Sequence, residues 1–587
     1  MVDVLPPAIR AALRAGWTLG LVASLAACTP PAGPSTQQAP SQQQGERPGV
    51  IKTLTIGITG AAPAMGVMGP TNTNGGWHSV GDVHSHGLTT TDTNSRRPVG
   101  RLAENIPNVD DGSVSLLPDG RMRVAYTLRP GITWQDGVPF TAQDLAFSYR
   151  FNSDKGLPTS QQRVINLMDS VEAPDTRTFV VYYRGAYYLG GVLGFRELWP
   201  QPQHLLGEAY DRYVTTGNPD EVVALPYWTS AYVHLGPFRL TSFDPADGTE
   251  HRAYDGYFLG RPKVDIVRIR AFANDNVLYS NLLAGAIDVF ADTALGPELG
   301  TQLKQRWDES GDGKVHVRPG GTPFLSPQMR PASQIEAANL DPRARGALLM
   351  AIDHEAFTQQ GQLPAWSMLP PGDPMYDAVK DGLRRYPYDP ERAKALLRDL
   401  GWSPGSDGVL RNASDGRRFR NAIWVVVGNL VQDVSVVADY WRRIGLEVDE
   451  YTISAAQTRD GEFRASYPGW EISSSGGGDS ILGRLEGPAA SAATRWVGNR
   501  GGYDDPRAEA LITRYYTSLS EREQFAAMAA LSDFVVSELP LLPLYYQLDF
   551  LGSRKGIRAL DDSEGGAQPS VRPFGTYSRN AHLWDVL

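Results

Sequence analysis

The chain has 587 residues, of which 41% are hydrophobic, 10% aromatic and 20% charged, and its formal net charge is −10 at pH 7. The acidic surplus argues against nucleic acid as a partner, because nucleic acids are bound by basic surfaces. The length predicts several domains, since single hydrophobic cores seldom grow beyond about 250–300 residues. Outside the N-terminal region, no apolar run reaches the roughly 18–20 residues that a membrane span requires.

The chain begins with the pattern of an export signal. Arg10 and Arg14 precede an apolar run over residues 17–27, and small residues lead to Cys28, the only cysteine in the sequence. Such an order of charged, apolar and small residues is typical of a signal peptide. Leu25–Cys28 (LAAC) also resembles the bacterial lipobox, whose cysteine carries acyl chains and anchors the protein to a membrane. The alternative is an ordinary secretory signal followed by an incidental cysteine.

A polar linker follows the predicted cleavage point. We expect residues 1–27 to be a lipoprotein signal peptide and residues 28–49 to form a disordered linker. The linker is rich in Pro, Gln and Ser, and between Thr29 and Pro48 it contains no apolar residue larger than Ala. Such a composition buries too little surface to offset the entropy of the chain. Behind a lipid anchor it would hold the folded part away from the membrane.

Strands and helices are mixed along the folded part. Alternation of polar and apolar residues predicts three strands, over residues 52–58, 123–128 and 267–270. Thr141 begins a predicted helix, and Asp144 stands in the position of a capping box. The predicted buried face of this helix consists of Ala142, Leu145, Ala146 and Tyr149. Asp341 and Asp389 each precede a proline that opens a further helix.

Several segments resemble one protein family, and they do so in sequence order. The sharpest is Thr127–Phe151, TLRPGITWQDGVPFTAQDLAFSYRF, which combines a strand end, two turns and a capped helix. Further matching segments are GPFRL, YDGYFLGRPKVDIVRIR, AGAIDVF, DPRARGALLMAIDHEAF, YPYDPERAKALLRDLGW, GYDDP and SELPLLPLYY. Together they resemble the extracellular solute-binding proteins of family 5, the peptide-type binding lipoproteins of ABC importers. The resemblance extends from about residue 50 to residue 550.

The resemblance implies a bilobal α/β fold, the periplasmic-binding-protein type II fold with an extra subdomain in the first lobe. Ligand would bind between the lobes, which close about strand-like hinges. The expected first lobe consists of residues 50–94, 198–323 and 536–587, with the extra subdomain at residues 95–197. The expected second lobe covers residues 324–535.

The resemblance also implies a clamp for the ligand's amino group. In peptide-binding members, a carboxylate of the second lobe pairs with this group, and the extended peptide binds like an added strand. The corresponding region is Trp470–Asp479, WEISSSGGGD, which implies Asp479 as the clamp and Ser475 and Gly477 as further ligand contacts. Capping of a local turn is the alternative role of Asp479. Gly476–Gly478 replace the family's usual aromatic stretch, a departure that also fits a bulky or sugar-like ligand.

Three more candidate residues belong to the expected second lobe. The segment LPAWSMLPP resembles a cleft-lining segment of the family, in which Trp366 would stack on the ligand. Burial in a core is the alternative for this tryptophan. The segment FLSPQMR corresponds to a strand beside the ligand, where Gln328 and Arg330 would hydrogen-bond the solute or end in solvent.

An early loop of the expected first lobe supplies the last candidates. Trp77 and His86 lie where members of the family often contact ligand. His78 and His84 are close in sequence, and nickel-binding relatives exist. The histidine spacing matches no standard structural metal site, and no further cysteine is available. We therefore predict no metal and no cofactor.

The sequence contains no His-Glu-x-x-His, Gly-x-Ser-x-Gly or Walker A pattern, so we expect no enzyme activity. We expect a monomeric, lipid-anchored binding component of an ABC importer, located in the periplasm or on the outer face of the cell membrane. Its expected partners are an oligopeptide, the permease and ATPase subunits, and the membrane. The alternatives are an oligosaccharide or other organic solute as ligand, an exported lipoprotein enzyme, and a receptor-like module that signals without transport.

Overall fold

The computed structural model describes residues 50–60, 64–68, 78–92, 97–159, 163–290, 294–360, 362–371, 373–428, 430–454, 457–475, 478–487, 489–494, 496, 498–558 and 577–587. The predicted signal peptide, the lipidation site and the linker lie outside these residues. The elements that follow all belong to one compact unit, Ile51–Leu587.

The strands are, in chain order, β1 Thr53–Thr59, β2 Thr89–Thr91, β3 Pro98–Gly100, β4 Val114–Leu116, β5 Met122–Thr127, β6 Met168–Glu172, β7 Thr178–Tyr183, β8 Phe238–Asp244, β9 Gly248–Ala253, β10 Ile266–Phe272, β11 Val289–Phe290, β12 Gly313–Pro319, β13 Thr322–Pro327, β14 Leu363–Pro364, β15 Trp402–Pro404, β16 Leu410–Asn412, β17 Arg420–Val426, β18 Glu447–Ile453, β19 Trp470–Ser475, β20 Leu542–Pro543, β21 Tyr545–Tyr546, β22 Leu548–Arg554, β23 Ile557–Arg558 and β24 Asp585–Val586. The α-helices are α1 Ala142–Ser153, α2 Arg163–Leu167, α3 Gln203–Thr216, α4 Asp220–Val223, α5 Asp275–Leu283, α6 Pro297–Ser310, α7 Pro342–Met350, α8 Pro374–Val379, α9 Pro390–Asp399, α10 Val431–Arg443, α11 Gly461–Ala465, α12 Pro506–Thr517 and α13 Glu521–Glu538. The three predicted strands correspond to β1, β5 and β10, and the three predicted helices correspond to α1, α7 and α9.

A seven-stranded sheet forms the base of the first lobe, in the order β12-β22-β11-β1-β10-β9-β8. The strand β1 is parallel to both of its neighbours, β10 and β11. Its alternating sequence places Leu54, Ile56 and Ile58 in the core without any exposure. Burial of such a side chain contributes about 1.5–3 kcal/mol. The central strand of the sheet is thus fixed by the apolar positions seen in the sequence.

A four-stranded antiparallel sheet, β4-β5-β7-β6, packs against α1. Thr141 begins α1 as predicted, since its backbone N–H donates to the Asp144 carboxylate at 2.9 Å. The core-facing rings of α1 are Phe147 and Phe151, whose centroids lie 5.7 and 5.6 Å from that of Tyr210 on α3. The buried face therefore differs in part from the predicted one.

The second lobe is built on a five-stranded sheet in the order β18-β17-β19-β13-β20. Helices α7, α9 and α10 cover one face of this sheet and share its core. Trp441 of α10 packs on Trp470 of β19, with ring centroids 5.3 Å apart. The opposite face carries a different set of side chains, which belong to the candidate site.

The chain passes between the lobes twice. The first crossing joins β12 to β13 through Gly320 and Gly321, and the second joins β21 to β22 through Gln547. Both β12 and β22 belong to the seven-stranded sheet, whereas β13 belongs to the five-stranded sheet. Two α/β lobes are therefore connected by two short extended segments.

Candidate ligand-binding site

The two connecting segments lie side by side and bond to each other. Gly320 N–H donates to the carbonyl oxygen of Gln547 at 2.7 Å, and Gln547 N–H donates to that of Gly321 at 2.8 Å. A Cβ atom on Gly321 would lie 2.7 Å from Ser474 Oγ and 2.8 Å from the carbonyl oxygen of Ser475. Glycine is therefore required by the close approach of β19. A short extended ladder of this kind is a hinge about which two lobes can close.

The end of β19 places polar groups beside the hinge. The hydroxyl of Ser474 donates to Gln547 Oε1 at 2.9 Å. The Oγ of Ser473 and the Oγ1 of Thr322 are buried, and neither has a hydrogen-bond partner among the described residues. A buried hydroxyl without a partner costs about 1–3 kcal/mol. A ligand that bonds to these hydroxyls would remove that cost.

A row of side chains crosses the second-lobe sheet on the face opposite α10. Tyr451 pairs with Trp424, Trp424 with Glu471, and Glu471 with Ser326, each in register. Phe463 of α11 packs on Trp424 with ring centroids 4.9 Å apart. Aromatic surface and a buried charge thus share one face of the sheet.

Three arginines surround Glu471, and we call these four residues the Glu471 cluster. Arg464 donates to the carboxylate at 2.9 Å, Arg500 reaches both of its oxygens at 3.0 and 3.1 Å, and Arg484 lies 3.8 Å away. Burial, the largest influence, would raise the pKa of Glu471, but the fields of the three guanidinium groups together lower it. Burial, and next the charge of Arg500, lower the pKa of Arg484 to about 10. The cluster holds three positive charges and one negative charge.

His86 lies in a buried histidine cluster of the first lobe. Its Nδ1 is 3.2 Å from Asp82 Oδ1, and its Nε2 is 2.8 Å from the hydroxyl of Tyr257. The neighbouring His84 ring stacks on that of His251 at 5.3 Å. Burial lowers the pKa of His86 and lowers that of His84 to about 3, so these rings are neutral at pH 7. The nitrogens of His86 bond within the protein, and a ligand contact of this residue stays a prediction.

Gln328 and Arg330 bond to the chain itself. The buried amide of Gln328 donates to the carbonyl oxygens of Ala465 and Tyr467, both at 3.0 Å. Arg330 donates to the carbonyl oxygens of Arg500 and Ala490 at 2.7 and 2.9 Å. These bonds tie Ala490 and Arg500 to the end of β13. A contact between either side chain and a ligand stays a prediction.

Trp366 is partly buried in the second lobe. Its ring lies 4.6 Å from that of His354, measured between centroids. Together with Met368, Val535 and Leu539 it lines a small apolar cavity. Packing thus occupies part of the ring, and stacking on a ligand stays a prediction.

Several predicted residues lie outside the described part of the chain. These are Cys28, Trp77 and Gly477, and the side chain of Asp479. The backbone of Asp479 belongs to the 3-10 helix Gly478–Arg484, which follows β19 directly. Ser475, the last residue of β19, pairs with Thr322 in the ladder beside the hinge. Asp479 is therefore four positions along the chain from Ser475, whose partner Thr322 directly follows the hinge glycine Gly321.

The lobes also meet away from the hinge. The N–H of Tyr188, which follows β7, donates to the carbonyl oxygen of Tyr516 on α12 at 2.9 Å. The hydroxyls of Tyr188 and Tyr515 are 2.8 Å apart. The ring of Tyr187 lies 6.2 Å from that of Tyr516. Tyrosines from both sides thus form a contact between the four-stranded sheet and the helices of the second lobe.

The described residues contain neither a metal-binding group nor a membrane-spanning helix. In the ranges given above, no group of three or more His, Cys, Asp or Glu side chains is placed to hold a metal ion. Among the helices of those same ranges, none combines the length and the apolar character needed to cross a membrane.

The resemblance implied strand-like hinges but assigned no residues to them, so the glycines of the hinge were not predicted. Also unpredicted were the Glu471 cluster and the hydroxyls of Ser473 and Thr322, which lack a partner among the described residues. The adjacent glycines 320 and 321, between two strand-like segments, could have indicated the position of the hinge. A glutamate between Trp470 and Ile472 of β19 was a signal for buried charge pairing. The hydroxyls gave no signal, because serine and threonine are common on strand ends.

Two α/β lobes, joined by paired crossings and bearing polar groups at the hinge, are the architecture of two-lobed binding proteins. The profile of the "Bacterial extracellular solute-binding proteins, family 5 Middle" matches residues 98–491. This match covers more than half of the chain, so the chain belongs to family 5 of the bacterial extracellular solute-binding proteins. The resemblance noted in the sequence is thereby confirmed.

Individual relatives are distant in sequence and close in fold. Oligopeptide-binding protein AppA of Bacillus subtilis is 23% identical over 391 residues, 63% of this chain and 65% of AppA. The oligopeptide-binding protein of Thermus thermophilus, complexed with a pentapeptide, aligns with a TM-score of 0.69 at 20% identity, covering 91% of this chain and 98% of that one. NikZ from Campylobacter jejuni, in complex with Ni(L-His), aligns with a TM-score of 0.71 at 18% identity, covering 91% and 99%. The likeness confirms the predicted bilobal α/β fold. The chain spans 58–65% of the length of the first curated relatives it matches.

Proposed function

We propose that the chain is the solute-capturing component of an ABC importer and that its ligand is an oligopeptide. The observation that carries this proposal is the hinge of Gly320, Gly321 and Gln547 beside the polar end of β19. Membership of family 5 supports the capturing role. The names of AppA and of the Thermus thermophilus protein, both oligopeptide-binding, support the ligand class.

Capture is a closure of the two lobes over the peptide, without covalent chemistry. A ligand that contacts both lobes stabilises the closed state by its extra affinity for that state. Main-chain hydrogen bonds to an extended peptide give affinity with little dependence on sequence. The carboxylate of Asp479 pairs with the α-amino group of the peptide, and Ser475 and Gly477 contact the adjoining main chain.

Cys28 anchors the protein to the outer face of a membrane, where a permease receives the peptide and an ATPase drives its passage. The lipobox-like Leu25–Cys28 supports the anchor. The Pro, Gln and Ser composition of residues 28–49 supports a flexible spacer, which lets the lobes reach the permease. The monomer is sufficient for this role, because both halves of the binding site come from one chain.

A second candidate ligand is an oligosaccharide or another organic solute. Gly476–Gly478 replace the usual aromatic stretch of peptide-binding members, and NikZ, of the same fold, holds Ni(L-His), which is no oligopeptide. An exported enzyme or a signalling module could have the same two lobes but would not work with a permease. Nothing in the described residues favours these last two roles.

The direct test is mass spectrometry of what the protein carries from its own host. The mature chain is purified without denaturant and then unfolded, and the released molecules are identified. We expect peptides, and we expect small-angle scattering to show a decrease in the radius of gyration when they are added back. Release of a sugar or organic acid, with no affinity for peptides, would assign the second ligand class. Turnover of the added compound would make the protein an enzyme.

A further inference from the structure

The Glu471 cluster carries more positive charge than its own carboxylate balances. Among the described residues, Glu471 is the carboxylate within 4 Å of Arg464, Arg484 and Arg500. The side chain of Glu471 is 1% exposed, and those of Arg500, Arg464 and Arg484 are 13%, 17% and 23% exposed. Two guanidinium charges are therefore held in a mostly buried place with no counter-charge from the residues that the structure describes. Such charges are costly unless they are paired and hydrogen-bonded.

The arginines also keep hydrogen-bond donors unused. The Nε atoms of Arg464 and Arg500 are buried, and neither has a partner in the described part of the chain. The 3.8 Å contact between Arg484 and Glu471 is too long for a hydrogen bond. The guanidinium of Arg484 lies over the ring of Phe324, 5.9 Å from its centroid. Arg484 is both the most exposed arginine of the cluster and the one held least by Glu471.

The position of Arg484 connects the cluster to the hinge. Phe324, beneath its guanidinium, pairs in register with Ser473 on the neighbouring strand. The Oγ of Ser473 is buried and has no partner among the described residues. The next residue, Ser474, bonds to Gln547 of the hinge. The Arg484 guanidinium and the Ser473 hydroxyl are thus on the same face of the sheet. Both are near the end of β19 that adjoins the hinge.

We propose that Arg484 and Ser473 form a subsite for a carboxylate of the captured solute, with Arg464 as a second cation. The planar fork of an arginine matches the two oxygens of a carboxylate, and each such hydrogen bond is charge-assisted. Glu471 holds Arg500 and Arg464 in place, and Arg484 meets the solute. The inference rests on the proposed function, because the solute must enter between the lobes.

The subsite makes the ligand an anionic or zwitterionic solute. In a peptide, the carboxylate is either the C-terminus or an acidic side chain. With Asp479 on the amino group, a C-terminal carboxylate at Arg484 fixes the direction of the peptide and limits its length. An acidic side chain at Arg484 instead selects peptides by sequence. Both sources share the same chemistry at the cluster.

The test compares Arg484→Gln with Arg420→Gln, a matched change in the same lobe at a side chain that is 62% exposed. The probes are a pool of random pentapeptides with free C-termini and the same pool with C-terminal amides. Affinity is measured by native mass spectrometry. We expect the unmodified protein and Arg420→Gln to bind the free acids at least tenfold more tightly than the amides, and Arg484→Gln to lose this difference.

Further measurements distinguish a C-terminal carboxylate from an acidic side chain and control for misfolding of the variant. If the unmodified protein binds an amidated pool with an aspartate at every central position as tightly as it binds the free acids, the carboxylate is that of a side chain. Arg484→Lys keeps the charge without the fork, and we expect an intermediate preference. Sodium succinate, compared with sodium chloride at equal ionic strength, should raise the melting temperature of the unmodified protein and not that of Arg484→Gln.

The failures of the two proposals are distinguishable. A full preference for free acids or for aspartate peptides in Arg484→Gln overturns the subsite and leaves the capturing role intact. Equal stabilisation by succinate in both proteins overturns it as well. An unmodified protein that binds no peptide of any pool overturns the peptide proposal instead, and the succinate comparison then decides the subsite alone.

Discussion

At the scale of single residues, buried histidines govern how the first lobe responds to acid. Burial lowers the pKa values of five histidines in this lobe: His84, His86, His234, His251 and His582. For His84 and His582 the lowered pKa is about 3. The charged and titratable groups around them are Asp82, Arg101, Glu197, Tyr232 and Tyr257. Asp82 favours the charged form of His86, and Arg101 opposes it.

We expect the free energy of unfolding to fall as the pH decreases. The unfolded histidines titrate near pH 6.5 and the folded ones far lower, so the unfolded chain binds more protons between these values. Their contribution is complete above about pH 6.5 and is lost towards about pH 3, at about 1.4 kcal/mol per pH unit for each proton. Burial raises the pKa of Glu197 to about 7, so this carboxyl binds a proton in the folded protein. It thereby offsets the effect of one histidine on the pH dependence.

Urea unfolding between about pH 7 and pH 5 measures this dependence. His84→Leu removes one buried imidazole and should decrease the slope of stability against pH. Leu88→Ala removes a buried apolar side chain of the same lobe that binds no proton, and it should leave the slope unchanged. Equal slopes in the two variants would show that the buried cluster does not set the response to acid.

Asp479→Ala tests the clamp for the amino group. Loss of the carboxylate should weaken peptide binding tenfold or more, and each tenfold corresponds to about 1.4 kcal/mol. Asp449→Ala, at a side chain that is 69% exposed in the same lobe, is the matched control. Titration calorimetry with the peptide that the protein carries measures both. An unchanged affinity of Asp479→Ala would contradict the clamp and favour the alternative role, capping of a local turn.

Individual site residues were harder to interpret from the sequence than the family. Gln328 and Arg330 were proposed from their place in a strand, and their partners are carbonyl oxygens 135–170 positions away. No local pattern reports a bond of that separation. The Glu471 cluster was missed for the same reason, because Arg500 lies on another segment, 29 positions from Glu471. Long-range pairing is therefore the part that sequence patterns leave out.

At the scale of elements, the hinge depends on glycines. A Cβ on Gly321 would crowd Ser474, Ser475 and Gln547 at 2.7–2.9 Å. We expect Gly321→Ala to lower the free energy of unfolding by about 1–3 kcal/mol, the usual cost of overpacking. Gly207→Ala in α3, where the nearest atom is 3.5 Å away, should instead gain about 0.5–1 kcal/mol from helix propensity. Chemical denaturation distinguishes the two, and equal stabilities would contradict a tight hinge.

Helix starts were predictable because their signals are local. Asp341 accepts a hydrogen bond from Arg343 N–H, and Asp389 accepts one from Arg392 N–H, both at 2.8 Å. The buried face of α1 was predicted only in part. Ala142 and Leu145 are buried as expected, but Phe147 and Phe151 turn to the core because α3 packs on that side. Which neighbour a helix meets is a property of the whole fold.

At the scale of the whole molecule, the proposed lipid anchor would decide where the protein acts. We expect Cys28→Ser to leave the membrane fraction and to lose the mass of the acyl chains, because no other cysteine can be acylated. Ser35→Ala in the predicted linker is the control and should stay with the membrane. Cell fractionation with mass spectrometry of the N-terminus measures both. Continued membrane retention of Cys28→Ser would rule out anchoring through this residue.

The order of matching segments identified the whole fold from the sequence alone. Each segment reports a turn, a cap or a strand end, and these local features recur wherever the fold recurs. The pairing of β12 with β22, whose residues lie more than two hundred positions apart, follows from the family and not from any local pattern. The contact between Tyr188 and Tyr515 was likewise unpredicted, because it joins elements of different lobes.

The place of β22 in the first-lobe sheet has a consequence for how the protein is made. The strands β13 to β20 of the second lobe come from one continuous stretch, whereas β22 separates β12 from β11 and is synthesised after all of them. During export, the second lobe can finish folding while the first still exposes two unpaired strand edges. Such edges are prone to aggregation. We therefore expect secretion to be most vulnerable just before the final segment emerges.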